Sequence, residues 1–493
     1  MEEQHQQAGD DDLMTRLLPE DVLAQILCLL PPRDLAVSRC VCAEWKGAVD
    51  RRRLLRADLL PLSVGGIFIN ICAHCYAEFF RPRSGNVSGN LAHLLEYSRW
   101  FAGTVLGHCN GLVLLDGCVS NPATGWFAPL PPWPMPTELL YQEAHIVFDP
   151  AVSSHYSVFL INYGPLYDEN AGGELQAAES QEWPPSHYPF HVFSSATERW
   201  EERPFLRQGD AVGTLADVRL GTKQPFDYHR RKRCFAAYWK QALYVHCHNN
   251  FFFRISLSRD EYRVIKPPPG ISNSVRSKGL VFGKSEKGPY LAESRYADRC
   301  FKVWILDESN HNQWVLRHCN KHLGLMLPRC YLDSEVFGPW ILEDTNYIED
   351  WMCWYEEEET PATAPPSAPE RALKQQSDCG CDFDEDGGFT LDSTNSPDDG
   401  DMYNAGSSFC YIDDLLVFGF HPFKEIVFLG SGIKIAVAHD LNSSKFQYMG
   451  SIYPTDFSIY YTYGNDEIVE TFVYTPCKLE AHGQPPTPTL AAD

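Results

Sequence analysis

Several things are missing from this 493-residue sequence, and each absence narrows what it can be. No stretch approaches the roughly 18 uninterrupted apolar residues that a bilayer-spanning helix needs. Residues 1–12 are polar and acidic where a secretory leader is basic and then apolar. The expectation is a soluble protein of the cytoplasm, the nucleus or both, with no membrane partner. Positive charge is scarce, with 41 Lys and Arg against 65 Asp and Glu and a formal net charge of −24. A protein that gripped nucleic acid by neutralising phosphates needs the opposite balance, so no nucleic-acid partner is expected. The phosphate-cradling GxxxxGK followed by Ser or Thr, the dinucleotide GxGxxG after a strand and the GxSxG elbow are all absent. Carboxylates are plentiful, but no spacing pairs two of them in a pocket. No catalytic residue is assigned, and the chain is expected not to be an enzyme.

Metal-ligand patterns are also incomplete. Cys72-Ala73-His74-Cys75 has the spacing of half a zinc site, yet no second pair follows at a useful distance, so packed thiols are the better reading. His246 and His248 lie two apart on a strand pattern and share a face, but lack a third ligand. No metal and no cofactor are expected. The 17 cysteines are odd in number, and Cys109, Cys118, Cys234, Cys247 and Cys300 sit in apolar runs, as buried thiols of a reducing compartment do. His229-Arg230-Arg231-Lys232-Arg233 reads as a solvated turn, and Arg51-Arg52-Arg53 as favourable charge at a helix C-terminus.

What is present begins with a helical stretch. Pro19 suits a first helical turn, Glu20 and Asp21 suit the positive end of the helix dipole, and Pro31-Pro32 stops the helix. Between them Val22, Leu23, Ile26, Leu27 and Leu30 line one side. A second short helix is expected from about Pro32 to Cys40 with Leu35 and Val37 apolar. A third is expected from about Cys42 into Arg53, carrying Trp45, Ala48 and Val49. A unit of about 40 residues seldom covers its own apolar surface, so another part of the chain or a partner should cover some of it.

The order Leu18-Pro19, Val22-Leu23, Ile26-Leu27, Leu30-Pro31, Asp34-Leu35, Val41-Cys42, Trp45 resembles an F-box. The resemblance implies a three-helix module at 17–60, after a disordered tail at 1–16. Such a module docks on a Skp-type adaptor, which tethers cullin and RING subunits in an SCF ubiquitin ligase. Carried over position by position, Leu18, Pro19, Val22, Leu23, Ile26, Leu27, Leu30, Pro31, Leu35, Val41 and Trp45 form or support the docking face.

From Gly65-Gly66 the helical period disappears. Short Val, Ile, Phe, Tyr and Trp runs alternate with Gly, Pro, Asn, Asp and Ser clusters to about Pro476, a mostly β pattern of many strands. One construction recurs five times: a strand, a polar turn, then an aromatic opening the next strand. The copies end on Trp126, Trp200, Tyr262, Trp314 and Tyr448, and a further degenerate unit is expected around Tyr331 to Trp340. Repeated small sheets that cannot cover both faces alone suit a ring of five or six blades, a β-propeller. Residues 62–476 also resemble the kelch-like, β-propeller-like domain associated with many plant F-box proteins. The resemblance rests on His108–Leu115, Asn121-Pro122-Ala123-Thr124, Phe148-Asp149-Pro150, Trp239 through His246, and Gly419–Ile426.

Residues 356–401 hold fourteen Asp or Glu against Arg371 and Lys374, a net of −12 and half of the chain's excess. This reads as a disordered acidic insertion, and 477–493 as a second disordered tail. With the F-box resemblance, the expected function is the substrate-recognition subunit of an SCF-type E3 ligase that presents an unknown target protein. Catalysis would then be by proximity. The other reading is a propeller enzyme or metabolite-binding protein that carries the helical module as a structural cap. Among long loops, Leu166, Tyr167, Trp183 and Tyr188 offer aromatic or apolar anchors for a target, with core packing as the equal alternative.

Overall fold

The computed structural model describes residues 19–27, 41–52, 63–71, 76–91, 103–134, 140–165, 180–220, 235–247, 251–271, 280–295, 300–309, 312–320, 325–328, 338–343, 388–389, 409–412, 416–431, 435–452 and 468–478, together with residues 30, 38, 54, 93 and 94. Residues 1–16, Cys72–Cys75, the basic cluster at 229–233, the acidic stretch apart from 388–389, and 479–493 lie outside the described residues; at the start of the tail expected at 477–493, Cys477 is instead buried in the core.

Helix α1 spans Glu20–Leu27 and starts on Pro19, whose carbonyl accepts the N–H groups of Val22 at 2.9 Å and Leu23 at 3.0 Å. It ends at Leu27, a turn short of the proline pair, and the Leu30 N–H returns to the Leu27 carbonyl at 3.1 Å. Helix α2 spans Ala43–Arg51. The expected helix between them lies outside the described residues except for Ser38, which is buried.

The rest is strands. Gly66–Ile71 (β1) and Ala77–Pro82 (β2) pair antiparallel. Gly107–Cys109, Leu112–Leu114, Cys118–Asn121 and Trp126–Pro129 (β3 to β6) make a four-stranded antiparallel sheet in chain order. Leu140–Phe148 (β7), Tyr156–Pro165 (β8), His187–Ser194 (β10) and Arg199–Arg207 (β11) repeat that arrangement, with Glu182–Trp183 (β9) and Gly213–Thr214 (β12) pairing beside them and Leu215–Leu220 (α3) following. Ala236–Trp239, Ala242–His246, Phe252–Ser256 and Glu261–Ile265 (β13 to β16) repeat it again, and β16 meets β11 in parallel, fusing the two sheets into eight strands. Leu280–Ser285, Gly288–Arg295, Cys300–Asp307 and Gln313–Asn320 (β17 to β20) form the next sheet. After Leu325–Pro328 (β21), Trp340–Glu343 (β22), Gly388–Phe389 (β23) and Phe409–Ile412 (β24) come Leu416–Phe420, Ile426–Ser431, Ile435–Asp440 and Phe446–Ser451 (β25 to β28), and then Ile468–Tyr474 (β29). Strands β21 and β24 pair with each other.

The first strands of these sheets touch in a closed circuit: β29 on β3, β3 on β7, β7 on β13, β13 on β17, β17 on β25, and β25 back on β29. The circuit closes through the chain's two ends. Strand β29 pairs with β1, while β22 takes the far side of β2, so this sheet reads β22-β2-β1-β29. Of the degenerate unit expected around Tyr331–Trp340, only residues 338–340 are described. Trp340–Glu343 is an edge strand of the closing sheet, held there by pairing with Phe79–Pro82, and 329–337 lie outside the described residues.

All five turn repeats occupy one equivalent place, between the third and fourth strands of a sheet. Trp126, Trp200, Tyr262, Trp314 and Tyr448 each stand in a fourth strand. The polar turn residues do local work there: the Asp440 carboxylate accepts the N–H groups of Asn442 at 2.9 Å and Ser443 at 2.7 Å, and the Asn121 side chain accepts the Ala123 N–H at 3.1 Å. Glu198, Asp260, Asn312 and Ser444 adopt positive φ in four of these turns, and Gly125 does so in the fifth. Between sheets the apolar faces stack into buried clusters. The closing joint holds Phe68, Phe79 and Tyr474, with Phe68 at 4.4 Å from Phe79 and 5.7 Å from Tyr474 between ring centroids. Hydroxyls tie neighbouring sheets: Tyr238 donates to Asp149 at 3.0 Å, and Tyr290 donates to the buried Glu425.

Candidate functional site

Two places gather side chains that chemistry or partners can use: the helical module and the channel enclosed by the first strands.

In the module, α1 and α2 pack so that the start of one meets the end of the other. The Arg51 guanidinium donates to Glu20 at 3.0 Å, and Arg52 pairs with Asp21. That hydrogen bond, with charge attraction from both arginines, holds the Glu20 carboxyl below its ordinary value, although the pair is exposed and screened. The apolar stripe divides. Leu23, Leu27, Ala48 and Val49 are buried in one continuous cluster with Leu112, Leu114, Leu130, Trp126 and Tyr156 of the sheets, and Leu30, Trp45 and Leu54 pack partly against it. Val22 at 39%, Ile26 at 45% and Val41 at 57% remain exposed. An α-helix separates such positions by a rotation of about 100° per residue, so Val22 and Ile26 form one edge of the stripe and Leu23 and Leu27 the other. Pro19 is exposed at the head of α1. The structure thus brings Val22, Ile26 and Val41 out to solvent and turns Leu23 and Leu27 inward. Leu18, Pro31 and Leu35 lie outside the described residues.

The anchors assigned in the long loops fare differently. Trp183 and Tyr188 are buried, 5.6 Å apart between ring centroids, in the same cluster as Phe190, Phe253 and Tyr262. Core packing is what the structure shows for both. Leu166 and Tyr167 lie outside the described residues. Sequence reasoning could not separate these roles, because the strand pattern around Tyr188 reads the same for a covered and an open face.

The channel was not assigned residues from the sequence. Its cavity measures about 90 Å³, and Phe282, Phe418, Phe420, Phe472, Ile146 and Val281 supply much of its wall. Its polar groups include His108, Asn110, His145, Lys284 and Glu470. Lys284 on β17 donates to the Asn110 side chain at 2.8 Å, and Asn110 donates to the Phe148 carbonyl at 2.7 Å, so one chain of hydrogen bonds links β17 to the β3–β4 turn on the other side. Burial lowers His108 to about 4, with a smaller contribution from the Lys284 charge, and lowers His145 to about 4 against the opposing pull of Glu143. Both imidazoles are neutral at pH 7 and can donate or accept. Asn70, behind the wall, keeps the neighbourhood ordered by donating to the Val105 carbonyl at 2.8 Å and accepting its N–H at 3.2 Å.

Among the described residues no three His, Cys, Asp or Glu side chains converge as a metal would require. His246 stacks on Phe252 at 4.7 Å between ring centroids, and His248 lies outside the described residues. His318 and His439 do approach each other, Nε2 to Nε2 at 3.3 Å, as an imidazole pair between β20 and β27.

Comparison with known proteins finds an F-box domain at residues 16–57. F-box domains bind Skp-type adaptors in SCF complexes, and proteins that carry them are generally non-catalytic adaptors of ubiquitin ligases. No curated protein is similar enough to match. Among solved structures, one described as "Crystal Structure of Mitotic Checkpoint Complex" contains a chain 10% identical, over 53% of this chain and 55% of that one, with a TM-score of 0.23. This chain thus spans about half the length of that match, a likeness too slight to support an argument about fold or function.

Proposed function

We propose that the chain is the substrate-recognition subunit of an SCF-type E3 ubiquitin ligase. Its F-box docks on a Skp-type adaptor, and through it on cullin and RING subunits, while the sheets hold a target protein near the ubiquitin-loaded enzyme. The observation that carries this reading is the divided stripe of α1 within the F-box match: Leu23 and Leu27 fasten the module to its own chain, and Val22, Ile26 and Val41 are left outward for another protein. Pro19, Leu30 and Trp45 support that face. We further infer that the six four-stranded groups form a kelch-like β-propeller of six blades, closed by the C-terminal strand, and that the protein works in the cytoplasm, the nucleus or both. No catalytic group is needed, since holding a target beside the thioester raises its effective concentration.

The test is adaptor retention by purified protein. Val22→Asp with Ile26→Asp should abolish binding of a Skp-type adaptor and leave the melting temperature nearly unchanged, because both side chains are already exposed. Retention equal to wild type would sink the assignment.

The channel favours a second reading, a metabolite-binding protein with the helical module as cap. Phenylalanine walls with two neutral imidazoles, a lysine and a carboxylate make a plausible small-molecule site, and the packing of Leu23 and Leu27 on the sheets suits a cap. A bound small molecule in native mass spectra, unaffected by Val22→Asp, would support it.

A further inference from the structure

We propose that the outer edge of β20 is a docking edge, onto which an extended, acid-flanked segment of a target protein adds as one more strand. This rests on the substrate-receptor reading and assigns its target contact.

Strand β20 ends its sheet, runs for eight residues, and among the described residues has no strand on its outer side. The other long outer strands are occupied. Strand β11 is met by β16 through Leu206↔Glu261 and Arg207↔Tyr262, and β28 is met by β23 through Gly388↔Gln447 and Phe389↔Phe446. The remaining outer strands, β6 and β22, have only four residues each, and β6 ends in Pro129. A long open edge is a template for another chain, and proteins usually blunt one with charge or proline. Gln313-Trp314-Val315-Leu316 carries neither. Val315 and Leu316 stand 46% and 51% exposed on the two faces of the strand, in regular register with Ile305 and Trp304, and the ladder shifts only beyond them, at Arg317. Main-chain groups would supply affinity, and these two side chains would give an apolar contact.

The occupant's chemistry follows from charge and from the chain's own example. Arg317 at 2.9 Å and Lys287 at 3.6 Å share the single buried carboxylate of Glu425, and Lys302 lies on the neighbouring strand opposite Cys319 with Glu293 beyond it, while Asp307 stands opposite Gln313; a small positive excess therefore gathers at the Arg317 end of the edge. An acidic segment is the complement. Strand β23 is itself such a segment: Gly388-Phe389 lies inside the acidic stretch, with Asp384, Glu385 and Asp386 before it in sequence and Asp392 after it. It sits on the outer edge of the sheet adjoining that of β20. This ring therefore already accepts one acid-flanked extended segment on an outer edge, and β20 offers a second, longer edge.

The test uses the full chain with a Skp-type adaptor, and a fluorescein-labelled peptide of residues 385–394 as probe. Binding should be saturable by anisotropy, should slow amide exchange across 313–319, and should slow alkylation of Cys319, an exposed thiol on the same strand. Val315→Glu with Leu316→Glu should weaken binding about tenfold or more without changing the melting temperature, since both positions face solvent. A peptide carrying Thr390→Pro should bind weakly as well. Protection confined to 446–451, or affinity indifferent to the glutamates, overturns the proposal. Self-association that the same glutamates abolish overturns it too, in favour of a second copy of the chain. Adaptor retention without protection of 313–319 defeats the edge alone; protection of 313–319 without adaptor retention defeats the receptor reading alone.

Discussion

In the helical module, helices of eight and nine residues hold Leu23, Leu27, Ala48 and Val49 inward and leave Val22, Ile26 and Val41 in solvent. Across the ring of sheets, by contrast, most large apolar residues are sealed by neighbours from the same chain, with Val152, Leu206, Val315, Leu316 and Val469 as exceptions, and Phe68, Phe79 and Tyr474 at the closing joint are fully buried. The module is apolar on more sides than its own chain can cover, while the ring is covered on nearly all of them. A region of the first kind is built for a constant partner. A region of the second kind is a self-sufficient scaffold whose contacts with other proteins must come from edges, loops and mouths. That division of labour suits an adaptor better than a single compact enzyme.

The sharpest way to break the comparison is to unseal the ring. Deleting 468–493 removes β29, which pairs with β1 along its length and brings Tyr474 into the joint. The expected result is loss of the cooperative melt and rapid proteolysis of the sheets. Deleting 1–57 should leave a folded ring with a lower melting temperature, because the face that packed on Leu23 and Leu27 becomes wet. Equal damage from the two deletions would mean that the regions form one cooperative unit.

Acid should separate the regions next. His108 and His145 are held neutral in the fold down to about 4, whereas the unfolded chain takes up protons below about 6.5. The unfolded state therefore binds more protons between those limits, and the ring loses stability as pH falls through that window, by up to about 1.4 kcal/mol per pH unit for each histidine. The described part of the module has no histidine. Its acid response comes from Glu20, whose folded value is depressed, so that contribution is present above about 4.5 and is lost as pH falls through the folded value. Melting followed separately by Trp45 and by the sheet signal should show the ring failing first; His108→Gln with His145→Gln should flatten its slope between pH 6.5 and 4.

These differences also mark what the sequence could show. The five turns were legible because their cause is local: Asn121, Asp440 and their neighbours bond to backbone two or three residues away. The mostly β character and the start of α1 at Pro19 were legible for the same reason. Closure was not, because the pairing of Phe68 with Phe472 joins residues some four hundred positions apart, and neither strand's pattern names its partner. Nor could the stripe of α1 reveal its division. Periodicity says that Val22 and Leu23 lie on one side of a helix; which of them the sheets cover depends on where Leu130 and Trp126 stand. The burial of Trp183 and Tyr188 depends likewise on where Phe190, Phe253 and Tyr262 stand.

A smaller perturbation refines the closure. Gly111 has φ +96°, and a Cβ there would fall 2.1 Å from the Cys477 Cβ and 2.7 Å from its nitrogen. Its carbonyl also accepts from the Tyr474 hydroxyl at 3.2 Å, so the β3–β4 turn grips the end of β29. Gly111→Ala should destabilise the ring by about 2–4 kcal/mol through strain and clash together. Gly125, at φ +72° with nothing within 4 Å, is the matched control: Gly125→Ala carries only the backbone term of about 1–2 kcal/mol. Chemical denaturation of the two variants measures the difference, which is the worth of the close approach to Cys477.

The smallest effect belongs to the module. Arg51→Ala removes the double contact with Glu20, but the two side chains are 63% and 42% exposed, and water and salt already screen them. The expected change in melting temperature is slight at low ionic strength and shrinks further near 1 M salt, where the screening length falls to about 3 Å. Adaptor binding should follow Val22 and Ile26 rather than Arg51. If Arg51→Ala instead loosened the module at every salt concentration, the helices would depend on each other more than on the sheets. The buried pair Leu23 and Leu27 would then be a consequence of that helix pairing and not the fastening that holds α1 to the ring.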